Sequence, residues 1–169
     1  MDALHIIEQL DKNQGLFKSL FASISGDLVH WRPSPEKWNL VEIVCHLCDE
    51  EREDFRARLE SILENPNNPF TPIDPQNWVK ERNYDKQDFK LKAKEFLSER
   101  KQSIDWLRAI KNPKWTNTYK HPKLGDMSAW YVLNNWLAHD YLHTRQIIRY
   151  KYQYIENNYH PDLNYAGNW

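Results

Sequence analysis

Cysteine is nearly missing: the 169 residues contain two, Cys45 and Cys48, too few and too close together to staple a secreted fold. Charge of either sign is not in excess. Lys and Arg number 23 against 24 Asp and Glu, a formal balance of -1, so no broad basic face is expected for nucleic acid or for an anionic membrane. Mean hydropathy is -0.87 and no apolar run reaches the length of a membrane span. The opening MDALHIIEQLDKN lacks a basic head followed by an apolar core, so no secretory signal is visible and a cytoplasmic protein is expected. Glycine is also scarce, four residues where about 7% is usual, and no internal repeat or low-complexity tract occurs. What is abundant is aromatic mass, with eight Trp and nine Tyr. Few glycines and many large side chains suit long helices, and the length suits one domain over residues 1–169.

Nine prolines mark where those helices stop, because a proline inside a helix removes a hydrogen bond and clashes with the preceding turn. Four long proline-free stretches remain, each with apolar residues spaced three and four apart. The first carries Ile7, Leu10, Phe17, Phe21 and Ile24 and ends at Gly26. A second opens at Asn39, an N-cap with Glu42 three residues on, and runs through Val44, Leu47, Glu51, Phe55, Leu59 and Ile62 until NPNNPFTPIDP. The third is expected from about Lys86 to Lys111, and NPKWTNTYKHPKLGD follows it as an irregular connection. The fourth begins near Asp126 or Ser128 and places Val132, Trp136, His139, His143, Ile147 and Tyr150 on one stripe. The expected fold is all-α, a four-helix bundle, with the aromatic C-terminal segment packed back on it.

His139 and His143 are four apart, so on a helix they sit about 6 Å apart along the axis and about 40° around it, and both imidazoles can reach one ion. Asp140 stands where the glutamate of a helical metalloprotease motif would be, which excludes that class. His46 lies about two turns into the second helix, where a bundle can bring it opposite the pair. Three neutral imidazoles with open positions are a known catalytic arrangement for zinc and also suit nickel, iron and copper. Cys45 and Cys48 form a CxxC, but no strand precedes it and Asp49 follows, so buried small cysteines are the favoured reading, Cys48 being the one that periodicity turns toward a site. Glu50 and Glu53 follow His46 by four and seven and could orient a ligand or act as a base; most of DEERED is expected to be solvated. Gln146, three after His143, could hold the neighbouring imidazole or a water. Trp136 is expected beside it on a pocket wall, and Arg145 and Arg149 lie outside the stripe and receive no role.

The combination of WRPSPEKWNLVEIVCHLCDEE with a later HDYLHTRQI resembles the DinB-like superfamily. Trp38, Asn39, Glu42, His46 and Leu47 meet one part of the family pattern; His139, His143, Gln146 and Ile147 meet the other. Asn39 replaces the common serine, and both residues cap helices. The resemblance implies an up-down-down-up bundle, frequently a homodimer, in which His46, His139 and His143 bind a divalent metal, usually zinc or nickel. It further implies a small-molecule substrate, with transfer of a low-molecular-weight thiol or hydrolysis as the reaction; the charge balance and hydropathy already argue against nucleic acid and membrane as partners. Glu50 and Gln146 are the candidates to support that site. The contrasting expectation is a non-catalytic, metal-stabilised scaffold, marked by a fourth protein ligand such as Glu50 or a cysteine. A nucleic-acid role would rest only on the loop KNPKWTNTYKHPK, which in a neutral protein reads as a solvated connection. The ending PDLNYAGNW is unassigned, with Tyr159, Tyr165 or Trp169 expected at the site entrance or a dimer seam.

Overall fold

A computed structural model describes residues 2–159 and 162–167. The first bundle helix, α1, spans Ala3–Ala22, with Asp2 accepting from the His5 N–H at its start. It stops earlier than the pattern suggests: Ser23 closes it, and Gly26 uses a positive φ of 61° to enter a short 3-10 turn over Gly26–Val29. The second bundle helix is one rod of three pieces, α2 (Leu40–Asp49), a π-helical segment over Glu50–Arg56, and α3 (Ala57–Glu64). Its capping box forms as expected: Asn39 Oδ1 accepts from the Glu42 N–H, and the Glu42 carboxylate accepts from the Asn39 N–H.

After the proline-rich break comes a short helix that the pattern did not show, α4 (Pro75–Glu81), with Asp74 as its cap and Pro75 in its first turn. The third bundle helix, α5, spans Phe89–Ala109; it starts at the Asp88 cap rather than at Lys86, which lies in a 3-10 turn. The connection to the last helix is not wholly irregular. Strands β1 (Thr118–His121) and β2 (Gly125–Ser128) pair antiparallel in a small hairpin around Gly125. Four-residue strands with mixed exposure carry too little alternation to be distinguished from a loop. The fourth bundle helix, α6, runs over Ala129–Tyr159, with Ser128 Oγ accepting from the Tyr131 N–H, while Asp126 belongs to the strand.

Cross-contacts give the directions. Phe21 meets Phe89 while Asp11 pairs with Arg108, so α1 and α5 are antiparallel. Arg52 reaches Glu95 and Arg56 reaches Ser103, which makes the second helix parallel to α5. Asn13 bonds Asp140 and Lys151 bonds Ser23, so α1 and α6 are parallel. The topology is therefore up-down-down-up. Among the described residues no helix is long and apolar enough to cross a membrane.

The core falls into two apolar clusters. One gathers Phe17, Phe21, Val44, Leu47, Phe96 and Ile147; the other gathers Ile6, Leu10, Leu59, Ile104, Leu133 and Trp136. Each such buried side chain contributes roughly 1.5–3 kcal/mol from removal of apolar surface. Between the clusters, on all four helices, lies a buried polar layer that includes Asn13, His46, Glu51, Arg100 and Asp140. The C-terminal segment packs back in part, with Tyr154 against the first core cluster. Tyr150 and Tyr154 lie edge-on to Trp31, whereas Tyr159, at the end of α6 and edge-on to Tyr154, and Tyr165, in a 3-10 turn beyond it, are exposed. Trp169 lies outside the described residues.

Candidate metal centre

The three histidines meet in the polar layer. His46 comes from α2 and His139 and His143 from successive turns of α6, and one ring nitrogen of each lies within 4.8 Å of the others. His46 Nε2 is 3.3 Å from His139 Nε2, and His143 Nε2 is 3.0 Å from it. Two nitrogens on a tetrahedral ion with metal–N bonds of about 2.0–2.1 Å stand about 3.3–3.4 Å apart, so the spacing fits a common ion. Rings close off the surroundings, with Trp38 packing on His46 at 4.9 Å and Phe55 on His139 at 5.0 Å.

Burial keeps the imidazoles neutral. It pushes the pKa of His46 down to about 3, with His143 adding to the shift, and that of His139 down to about 2, with both other histidines adding. His143 is lowered by the same desolvation, partly offset by Gln146. Neutral, unprotonated nitrogens are what a divalent ion requires. Gln146 sets one tautomer: its Oε1 is 2.8 Å from His143 Nδ1, which donates to it and leaves the Nε2 lone pair facing the other histidines. His46 Nδ1 is buried with no hydrogen-bond partner among the described residues; Glu50 Oε1 is 3.9 Å away.

Glu50 also lies 3.9 Å from His139 Nε2, at the edge of the histidine group. Burial raises its pKa to about 8, helped by the Asp54 carboxyl next to it. Glu53 does not join them. It turns outward to Arg82 and Arg52, which hold it below the usual carboxylate range through hydrogen bonds stronger than the opposing desolvation. The cysteines are buried too, and desolvation pushes the Cys45 thiol up to about 12 and that of Cys48 higher still. Cys48 packs in the apolar cluster and faces the charges of Glu95 and Arg52 instead of approaching the histidines. Trp136 is fully buried, stacked on Phe55 at 5.7 Å, with its indole N–H donating to Glu51.

One buried group went unread in the sequence. Arg100, 1% exposed, binds Glu51 through Nε and Nη2 at 2.8 Å each and Asp140 through Nη1 and Nη2 at 2.6 and 2.7 Å. Its fifth N–H reaches the Leu10 carbonyl, and Asn13 completes Asp140 at 2.9 Å. Desolvation opposes the charge of Arg100, but the two carboxylates outweigh it and hold the guanidinium firmly protonated. DEERED is accordingly not a solvated run, since Asp49, Glu50 and Glu51 are all buried. The signal was present: Glu51 sits between Leu47 and Phe55, and Arg100 between Phe96 and Ile104, each four residues from an apolar neighbour in its stripe.

The architecture is a helical bundle that closes three neutral imidazoles around one point. The chain belongs to the DinB superfamily, whose pattern matches residues 9–147. Its fold is similar to that of YfiT from Bacillus subtilis, described as "a probable metal-dependent hydrolase with an unusual four-helix bundle topology". The TM-score is 0.79 at 14% sequence identity, covering 89% of this chain and 86% of that one. No protein of curated function matches the sequence.

Proposed function

We propose that the chain is a divalent-metal-dependent enzyme, with zinc or nickel held by His46, His139 and His143, that activates a thiol or a water against an electrophilic small molecule. The convergence of three neutral ring nitrogens, His46 buried and His139 and His143 partly so, carries this reading. A divalent ion held by three neutral donors keeps its double charge and acts as a Lewis acid, lowering the pKa of a water or thiol beside it. Glu50 is the residue placed to take up and return that proton, at 3.9 Å from both His46 and His139. Gln146 holds His143 in the ligating tautomer, and the Phe55 and Trp38 rings keep bulk water from the His139 and His46 faces. S-transfer to an electrophile and hydrolysis would use the same residues. The hydrolase description of YfiT supports the second, and the family resemblance supports the first.

The position of Glu50 favours one competing reading, a closed structural site in which its carboxylate is the fourth ligand. Glu50→Gln separates the two. An enzyme keeps its metal, read by elemental mass spectrometry, and loses about 10²–10⁴-fold in turnover of activated ester or thiol-acceptor substrates. A structural site loses both metal and thermal stability in the same variant.

A further inference from the structure

Seven of the nine arginines bind a carboxylate: Arg32, Arg52, Arg56, Arg58, Arg82, Arg100 and Arg108. Among the described residues, Arg145 and Arg149 have no such partner. Both lie on α6, one turn apart, where two like charges without a counter-ion are unfavourable. They also line the same cavity, of about 520 Å³, which opens between α6 and the loop at residues 33–37. That volume lies in the range of small-molecule sites. Lys37 adds a third cation from the loop, and among the described residues no carboxylate lines the cavity. In a chain whose charges otherwise balance, this is a local concentration of unanswered positive charge.

The cavity adjoins the histidine group, because His143 and Gln146, hydrogen-bonded to each other, form part of its wall. Leu142 and Tyr150 supply apolar surface between the cations and that end. A guanidinium presents two parallel N–H groups that match the two oxygens of a carboxylate or phosphate. We propose that Arg145, Arg149 and Lys37 hold an oxyanion, carboxylate or phosphate, at one end of the substrate while its reacting end passes His143 to the metal centre. The placement of the reacting end rests on the function proposed above; the anion site does not.

The test follows backbone amide shifts of the full-length protein by NMR during titration with succinate and, separately, with inorganic phosphate. Wild type is compared with the Arg145→Gln/Arg149→Gln double variant and with Lys101→Gln, which removes an exposed cation already paired with Asp105. Each is measured after metal has been stripped and the chelator dialysed away, and again after loading with zinc and removal of the excess. At least one anion is expected to bind wild type and Lys101→Gln alike, with shifts centred on residues 142–150. The double variant binds it at least 10-fold more weakly while its thermal midpoint and zinc stoichiometry are unchanged. Succinate alone identifies a carboxylate site, phosphate alone a phosphate site, and both a general oxyanion site. Failure of both anions to bind wild type, or binding that survives in the double variant, overturns the proposal. A protein that takes up no zinc yet still binds the anion through Arg145 and Arg149 contradicts the metal reading and leaves the anion site standing.

Discussion

His139 and Asp140 are neighbours in the chain, as are Glu50 and Glu51, yet they serve two buried groups of opposite character. Successive residues on a helix point about 100° apart, so one of each pair turns to the histidine group and the other to Arg100. The Arg100 group is closed. All five of its N–H donors have acceptors, and the carboxylates that accept them are completed by Trp136 and Asn13. The histidine group is open: its nitrogens face one another at 3.0 and 3.3 Å, and His46 Nδ1 has no hydrogen-bond partner among the described residues. A polar cluster that answers every donor internally holds helices in register. One that directs lone pairs at a common point is arranged for something the chain does not itself supply.

The largest effect that would break this contrast is on the closed side. Arg100→Met leaves two buried carboxylates without their cation and is expected to lower stability by about 3–5 kcal/mol in urea unfolding. Adding Glu51→Leu and Asp140→Leu should recover most of the loss, since the cost lies in orphaned charge and not in lost volume. A single Arg100→Met variant as stable as wild type would show that the group is not a clamp. On the open side, Gln146→Ala frees the His143 tautomer and is expected to weaken metal affinity about 10–100-fold with little change in folding stability, measured by competition with a chromogenic chelator.

A smaller and graded effect comes from pH. In the metal-free protein His46 and His139 have pKa values pushed down to about 3 and about 2 from the ordinary 6.5. The unfolded chain takes up those protons below pH 6.5 and the folded chain does not, so stability falls toward acid, by at most about 1.4 kcal/mol per pH unit for each histidine. Glu50, raised to about 8 from 4.5, acts in the opposite sense: its folded carboxyl keeps a proton that the unfolded chain releases, a contribution lost as pH rises through 8. Two histidines outweigh one carboxyl below about pH 6. Urea midpoints of metal-free protein at pH 5 and 6 should therefore show an acid-side decline that His46→Ala makes shallower. A flat profile would mean that the imidazoles are already charged in the folded chain.

Much of this was legible in the residues, and the exceptions have physical causes. Helix periodicity, proline positions and the Asn39 capping box mark all four bundle helices, and a spacing of four puts His139 and His143 on one stripe. The Arg100 group was hidden because a charged residue within an apolar stripe reads as an interruption until its partner on another helix is known. The π-helical segment left a trace that went unread: Leu47, Glu51, Phe55 and Leu59 keep a strict spacing of four, which would drift about 120° around a regular helix over three steps. The wider turn at Glu50–Arg56 absorbs that drift and keeps Glu51 and Phe55 facing inward, with Glu50 beside the histidines. Arg145 and Arg149 lie outside the histidine stripe, and that they share a cavity wall with Pro33, Ser34 and Lys37 is visible only once the loop at 33–37 is folded across from them.

The most direct measurement of the open and closed contrast is metal content by elemental mass spectrometry on untagged protein, for wild type beside His46→Ala and His139→Ala, with the unfolding stability of each stripped protein measured in parallel. The account predicts about one divalent ion per chain in wild type, loss of that ion in both variants, and stripped variants that remain folded because the Arg100 group still holds the helices. Wild type that binds no metal after supplementation, or variants that keep it, would contradict the account.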